Sequence, residues 1–201
     1  MAEEIIDGTG TGNKVNVDDN NQLHTFSVTE DEQRQATSLG NEYNINSGTI
    51  NLSTNSTTRN TILYFKNDED YPFLVTAVAL GLGTRSATVS DAANVWVVRN
   101  PETGTTITNA VAVDMKNNTN FGSSQTLKST SLAYKGADSD GATSGGSDHA
   151  LLYMSEGRLY ASLNVELPRG SSIAIEIDGN TSGAFNVYGA IIGFVRTPKN
   201  N

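Results

Sequence analysis

Apolar and polar residues alternate with a period of two along much of this chain, most clearly between Leu159 and Arg196. Over residues 159–167, Leu159, Ala161, Leu163, Val165 and Leu167 alternate with Tyr160, Ser162, Asn164 and Glu166. After Pro168-Arg169-Gly170, Ile173, Ile175 and Ile177 alternate with Ala174 and Glu176. After Asp178-Gly179-Asn180, the run from Phe185 to Val195 is apolar on both phases. A two-residue period predicts a strand with one face in a core, and a run without polar gaps predicts a strand buried on both faces. Three strands are expected here, with Glu166 and Glu176 turned to solvent.

The same pattern predicts strands upstream at residues 43–52, 60–66, 72–82, 94–99, 105–108, 110–114, 126–134 and 150–154. Polar turns separate them. They include Asn67-Asp68-Glu69-Asp70, a loop at residues 83–93, Asn100-Pro101-Glu102-Thr103-Gly104, an Asn-rich turn with Phe121-Gly122, and a low-complexity loop at 136–148. About nine to eleven strands, with a turn every ~8–12 residues, predict an all-β protein. The expected body is a two-sheet sandwich or jelly roll, with an N-terminal extended arm and one short helix.

The helix is expected at residues 29–40. Thr29 caps it, Glu32 completes a capping box, and Glu30, Asp31 and Glu32 sit at the positive end of its dipole. Gly40 ends it. Ala36 and Leu39 are its only apolar residues, so it reads as a weakly packed linker. The resulting organisation is an arm or small hairpin at 1–28, the linker helix at 29–40, a β-sandwich at 41–197 and a polar tail at 198–201. Within the arm, Ile5, Ile6, Val15, Val17, Leu23 and Phe26 are the apolar residues available to dock on a partner. Alone they bury little.

Composition sharpens this picture. Hydrophobic residues make up 36% of the 201 positions and charged residues 17%, with 19 glycines, which suits short strands joined by exposed loops. A net charge of −9 leaves no basic field for phosphates, so no nucleic-acid partner is expected. The absence of cysteine excludes disulfides, thiolate metal sites and a cysteine nucleophile. No apolar run follows the acidic Met1-Ala2-Glu3-Glu4, and none approaches a membrane span, so neither a signal peptide nor a membrane partner is expected.

The candidate chemistry is thin. Gly8, Gly10, Gly12 and Lys14 suggest a phosphate loop, but Asn13 separates the last glycine from the lysine and no helix follows. Asp138, Asp140 and Asp148 in the glycine-rich loop are weak calcium candidates, because carboxylates at alternate positions suit that ion. Ala142 and Thr143 stand where a calcium loop of the helix–loop–helix kind has a ligand and a glycine. His24 and His149 are the only histidines; neither comes with a nucleophile motif. Trp96, Tyr64, Tyr71, Tyr134, Tyr153, Tyr160 and Tyr188 are candidate sugar-stacking rings, or else core and subunit-interface residues. The residues therefore predict no catalytic site, no metal and no cofactor.

Three stretches resemble small virion proteins of tailed double-stranded DNA bacteriophages. They are Ile5-Ile6-Asp7-Gly8-Thr9-Gly10 with Val15-Asn16-Val17-Asp18 and Leu23-His24-Thr25, then Val98-Arg99-Asn100-Pro101-Glu102-Thr103-Gly104, then Leu167-Pro168-Arg169-Gly170-Ser171-Ser172. The resemblance covers about thirty residues. It implies a non-enzymatic structural protein that decorates or cements the capsid, with a jelly-roll-like body, often as a homotrimer. It also implies a location in the virion, assembly in the host cytoplasm, and docking on the major capsid protein or another virion protein. A receptor- or glycan-binding module of a fibre and a neck or tail adaptor are the alternatives from the same setting. A calcium-dependent hydrolase is the rival from another class.

Overall fold

The computed structural model describes residues 5–6, 14–15, 31–52, 59–85, 93–101, 111–113, 116–138, 141–179 and 185–196. The chain divides into two compact units, Met1–Asp31 and Glu32–Asn201. In the first, β1 (Ile5–Ile6) pairs antiparallel with β2 (Lys14–Val15), placing Ile5 opposite Val15. Both strands lie within the segment read as an arm or small hairpin. Val17, Leu23, Phe26 and Thr29 lie outside the described residues.

The second unit is an all-β sandwich. Its main strands, in chain order, are β3 (Glu42–Asn46), β5 (Asn60–Lys66), β6 (Phe73–Arg85), β7 (Ala93–Arg99), β11 (Ser147–Met154), β12 (Arg158–Leu167), β13 (Ser172–Gly179) and β14 (Phe185–Val195). The first of these eight pairs with the last, the second with the seventh, the third with the sixth and the fourth with the fifth, all antiparallel. This nested pairing is a jelly roll: one long ribbon wrapped so that its successive strand pairs alternate between two sheets. β13 is central in one sheet and β14 in the other. β4 (Ile50–Leu52) adds to β14.

Ile45, Ile62, Phe65, Val75, Val95, Ile173, Ile175, Val187 and Ile191 meet between the sheets and are fully buried. Each buried side chain of this size contributes about 1.5–3 kcal/mol of transfer free energy. Strand β12 keeps its predicted phase, but Leu159, Ala161, Leu163 and Val165 are only half-buried because β12 is an edge strand.

Between β7 and β11 in the chain, shorter described strands extend both sheets on their other side. β10 (Leu132–Lys135) adds to β5, and β8 (Val111–Ala112) adds to β10. β9 (Lys116–Asn118) adds to β3. The strand expected at 126–134 is confined to its end, because Glu69 ties down the preceding turn. Its carboxylate accepts from Lys128 N at 2.8 Å and Ser131 Oγ at 2.7 Å.

Helix α1 (Glu32–Ser38) ends at Gly40, whose φ of 74° is the left-handed C-terminal geometry glycine supplies without strain. The helix packs on the body. Gln33 and Thr37 both donate to the buried Glu42 carboxylate, and Arg196 reaches Glu32 at 2.6 Å. Ala36 and Leu39 approach Phe194. The double-sided burial expected for β14 therefore holds near Phe194. Farther along, Ala190 and Ile192 are half-buried and Tyr188 is exposed.

Candidate functional site

The two long edge strands, β11 and β12, lie on one side of the sandwich, joined by the turn Ser155-Glu156-Gly157-Arg158. Glu156 and Gly157 have φ of 53° and 70°, the pair of positive values a two-residue hairpin turn of type I′ requires. Arg158 N donates to Ser155 O at 3.1 Å. From this tip one strand enters each sheet, so the ribbon opens as it leaves the turn. The inward residues Ala150 and Leu152 face the core from β11, and Leu159, Ala161, Leu163 and Val165 from β12, all partly exposed. On the outer faces, Leu151, Tyr153 and Tyr160 are exposed, the two tyrosines by 66% and 69%. This is an incompletely covered apolar flank.

Both strands carry a bulge. The β11–β7 register shifts around His149, and the β12–β6 register shifts between Ser162 and Val165, where Asn164 has a φ of 52°. Bulges interrupt the row of free backbone groups that an edge offers to further strands. The flank is thus suited to side-chain contact more than to open-ended strand addition.

A cleft of about 350 Å³ opens at the end of this flank, between Val97, Ile173, Val165 and Leu167, with Arg99, His149 and Glu166 at its rim. His149 is exposed and makes no hydrogen bond to a serine among the described residues. Ser172, also in the lining, is buried and donates to Pro101 O at 2.9 Å. Glu166 is solvent-facing as expected, 2.9 Å from Arg196.

Glu176 overturns its expectation. It lies on the outward phase of β13 yet is 1% exposed, because residues 141–143 fold over that face of the sheet. Thr61 N and Oγ1 donate to Gly141 O at 2.9 and 3.0 Å, and Gly136 N donates to Ile62 O. Thr143 then donates both N and Oγ1 to Glu176 Oε1 at 2.6 Å. Arg59 supplies the compensating charge, 3.7 Å from Glu176 Oε2. Its guanidinium lies 3.5 Å from the Trp96 ring centroid and forms a two-point bond to Asp148 at 2.7 and 3.0 Å. Trp96 Nε1 donates to Asp178 at 2.9 Å. The hydrogen bonds from Arg59 hold the Asp148 carboxyl below its ordinary value, against a smaller opposing effect of burial.

This network ties a loop to a sheet. It also occupies Asp148, one of the three calcium candidates; Asp140 lies outside the described residues. Among the described residues no three His, Asp or Glu side chains converge on a metal position. The acidic turn Asn67–Asp70 is likewise paired, with Asp68 on Arg169 at 3.0 Å and Asp70 on Lys128 at 2.6 Å. Of the candidate rings, Tyr64 is buried, Trp96 lies beside Arg59, and Tyr153 and Tyr160 stand free on the flank. His24 is outside the described residues. No described helix is long and apolar enough to cross a membrane.

Comparison of the chain with protein-family models, with curated proteins and with solved structures finds no match.

Proposed function

We propose that this protein is a non-enzymatic structural subunit of a virion, decorating or cementing the outside of a tailed-bacteriophage capsid as a homo-oligomer. The apolar β11–β12 flank is the observation that carries the reading. Leu151, Tyr153 and Tyr160 are exposed on either side of a half-buried row of core residues, and apolar surface left open in this way is stabilised when another protein covers it. A second copy of the chain is the proposed cover, as a closed ring whose trimeric form the sequence resemblance implies. The N-terminal unit, with Ile5, Ile6 and Val15, attaches to the major capsid protein or another virion protein. The resemblance in the arm, in 98–104 and in 167–172 supports the viral setting.

Deletion of residues 1–28 tests the attachment. The truncated protein is expected to keep a cooperative unfolding transition and to lose occupancy on the particle. Undiminished occupancy would refute the role given to the arm.

A further inference from the structure

On the side of the sandwich opposite β12, strand β9 pairs with β3 and places Asn117 directly across from Asn44. The inward neighbours Tyr43 and Ile45 are buried in the core, so the two amides share the outer face. Beyond β9 the chain turns back through residues 119–123, and an open groove of about 730 Å³ lies between this turn and the sheet. Four asparagines, Thr119, Ser123 and Phe121 line it, and none of them is charged.

The turn is rigidly supported. Asn118 Oδ1 accepts from Asn120 N at 2.9 Å, and Asn120 Oδ1 accepts from Gly122 N at 3.1 Å. Asn118 Nδ2 donates to Gly40 O at 2.6 Å, and Asn120 Nδ2 donates to Ser38 O at 3.1 Å. Thr119 donates N to Glu42 O and Oγ1 to the Glu42 carboxylate at 2.9 Å. Asn118 and Asn120 thus hold the loop, while Asn44 and Asn117 face the groove. The Asn44 Oδ1 is buried and accepts no hydrogen bond. Phe121, held on this scaffold, is 100% exposed.

We propose that this groove binds a neutral saccharide. An amide presents two donors and an acceptor in one plane, which matches neighbouring hydroxyls on a sugar ring. An exposed aromatic ring offers a flat apolar surface to the C–H face of the same ring. The uncharged lining gives no counter-charge to a phosphate, sulfate or carboxylate. A protein partner fits less well, since the centre of such an interface is rich in apolar and aromatic residues and Phe121 is the single one here. Turning the Asn44 amide into the groove lets a ligand hydroxyl satisfy its oxygen. The site is independent of the β11–β12 flank, which lies at the other end of the sheets.

The full chain is titrated calorimetrically against neutral oligosaccharides of glucose, galactose, mannose and N-acetylglucosamine, at millimolar concentration. Phe121→Ala and Asn117→Ala are the variants, and both side chains are exposed, so the unfolding temperature is expected to stay unchanged. At least one sugar is expected to bind, with affinity falling about tenfold in Phe121→Ala. Failure of every sugar to bind would overturn the proposal. So would binding that survives both substitutions but is lost in Tyr153→Ser, or binding confined to charged saccharides.

Discussion

The two sides of the jelly roll are built on different principles. On the β11–β12 side, two long bulged strands leave apolar side chains half-covered, and few side-chain hydrogen bonds hold the flank. On the β8–β9 side, strands of two and three residues are held by a lattice of Asn, Thr, Ser and buried carboxylate bonds, centred on Glu42 and Glu69. The first arrangement gains free energy when a partner covers it. The second is held by its own hydrogen bonds, apart from the unpaired Asn44 Oδ1, and presents preorganised polar groups. A difference of this kind predicts self-association on one side and small-ligand recognition on the other.

The contrast can be broken at graded strength. Gly136 packs against the Thr61 carbonyl so closely that a Cβ has no room, and the obstacle is backbone that cannot rotate away. Gly136→Ala is expected to cost about 3 kcal/mol, measured by urea unfolding. Asn118→Ala removes three hydrogen bonds made by one side chain, to Gly40 O, Gln125 O and Asn120 N. It should cost about 1–2 kcal/mol and loosen the Phe121 turn, read as faster amide exchange at 119–123. On the flank, Tyr153→Ser with Tyr160→Ser should change monomer stability by less than about 0.5 kcal/mol, since both rings are exposed. Its effect falls on association.

The smallest effect is on pH. Asp68, Asp70 and Asp148 are held below the ordinary carboxyl value of 3.8, Asp68 first by Thr130, Asp70 by Lys128 and Asp148 by Arg59. A depressed folded-state value means the unfolded chain takes up protons first as pH falls. The contribution is complete above the unfolded carboxyl value and is lost as pH drops through the folded one. Because these pairs are exposed, the loss should be small and should shrink further in high salt. Acid unfolding of Lys128→Gln at two ionic strengths measures the Asp70 share of it.

Strand phase was legible in the sequence because β-sheet periodicity is local. Residues 159–167 and 60–66 form strands close to those the alternation predicts, and Pro168-Arg169-Gly170 is a turn, with Gly170 at a φ of 84°. Phase alone could not tell Glu166 from Glu176. Both point outward, but only Glu176 lies under the loop carrying Thr143, and that contact spans 33 residues. The pairing of Asp148 with Arg59, 89 residues apart, was invisible for the same reason. Strand β9 was missed because Lys116-Asn117-Asn118 has the composition of a turn; β3 recruits it as an edge. The groove beside it followed from no motif, although an isolated phenylalanine in an Asn- and Ser-rich segment was a signal to be read.

Solution mass by light scattering tests the central claim most directly. The wild-type chain is expected at a multiple of 21.3 kDa, threefold for a trimer, and the Tyr153→Ser/Tyr160→Ser variant at 21.3 kDa, still folded but without the concentration-dependent unfolding temperature that association gives the wild type. A wild-type monomer at its highest soluble concentration, or an oligomer that survives loss of both tyrosines, would contradict the assignment of the β11–β12 flank to assembly.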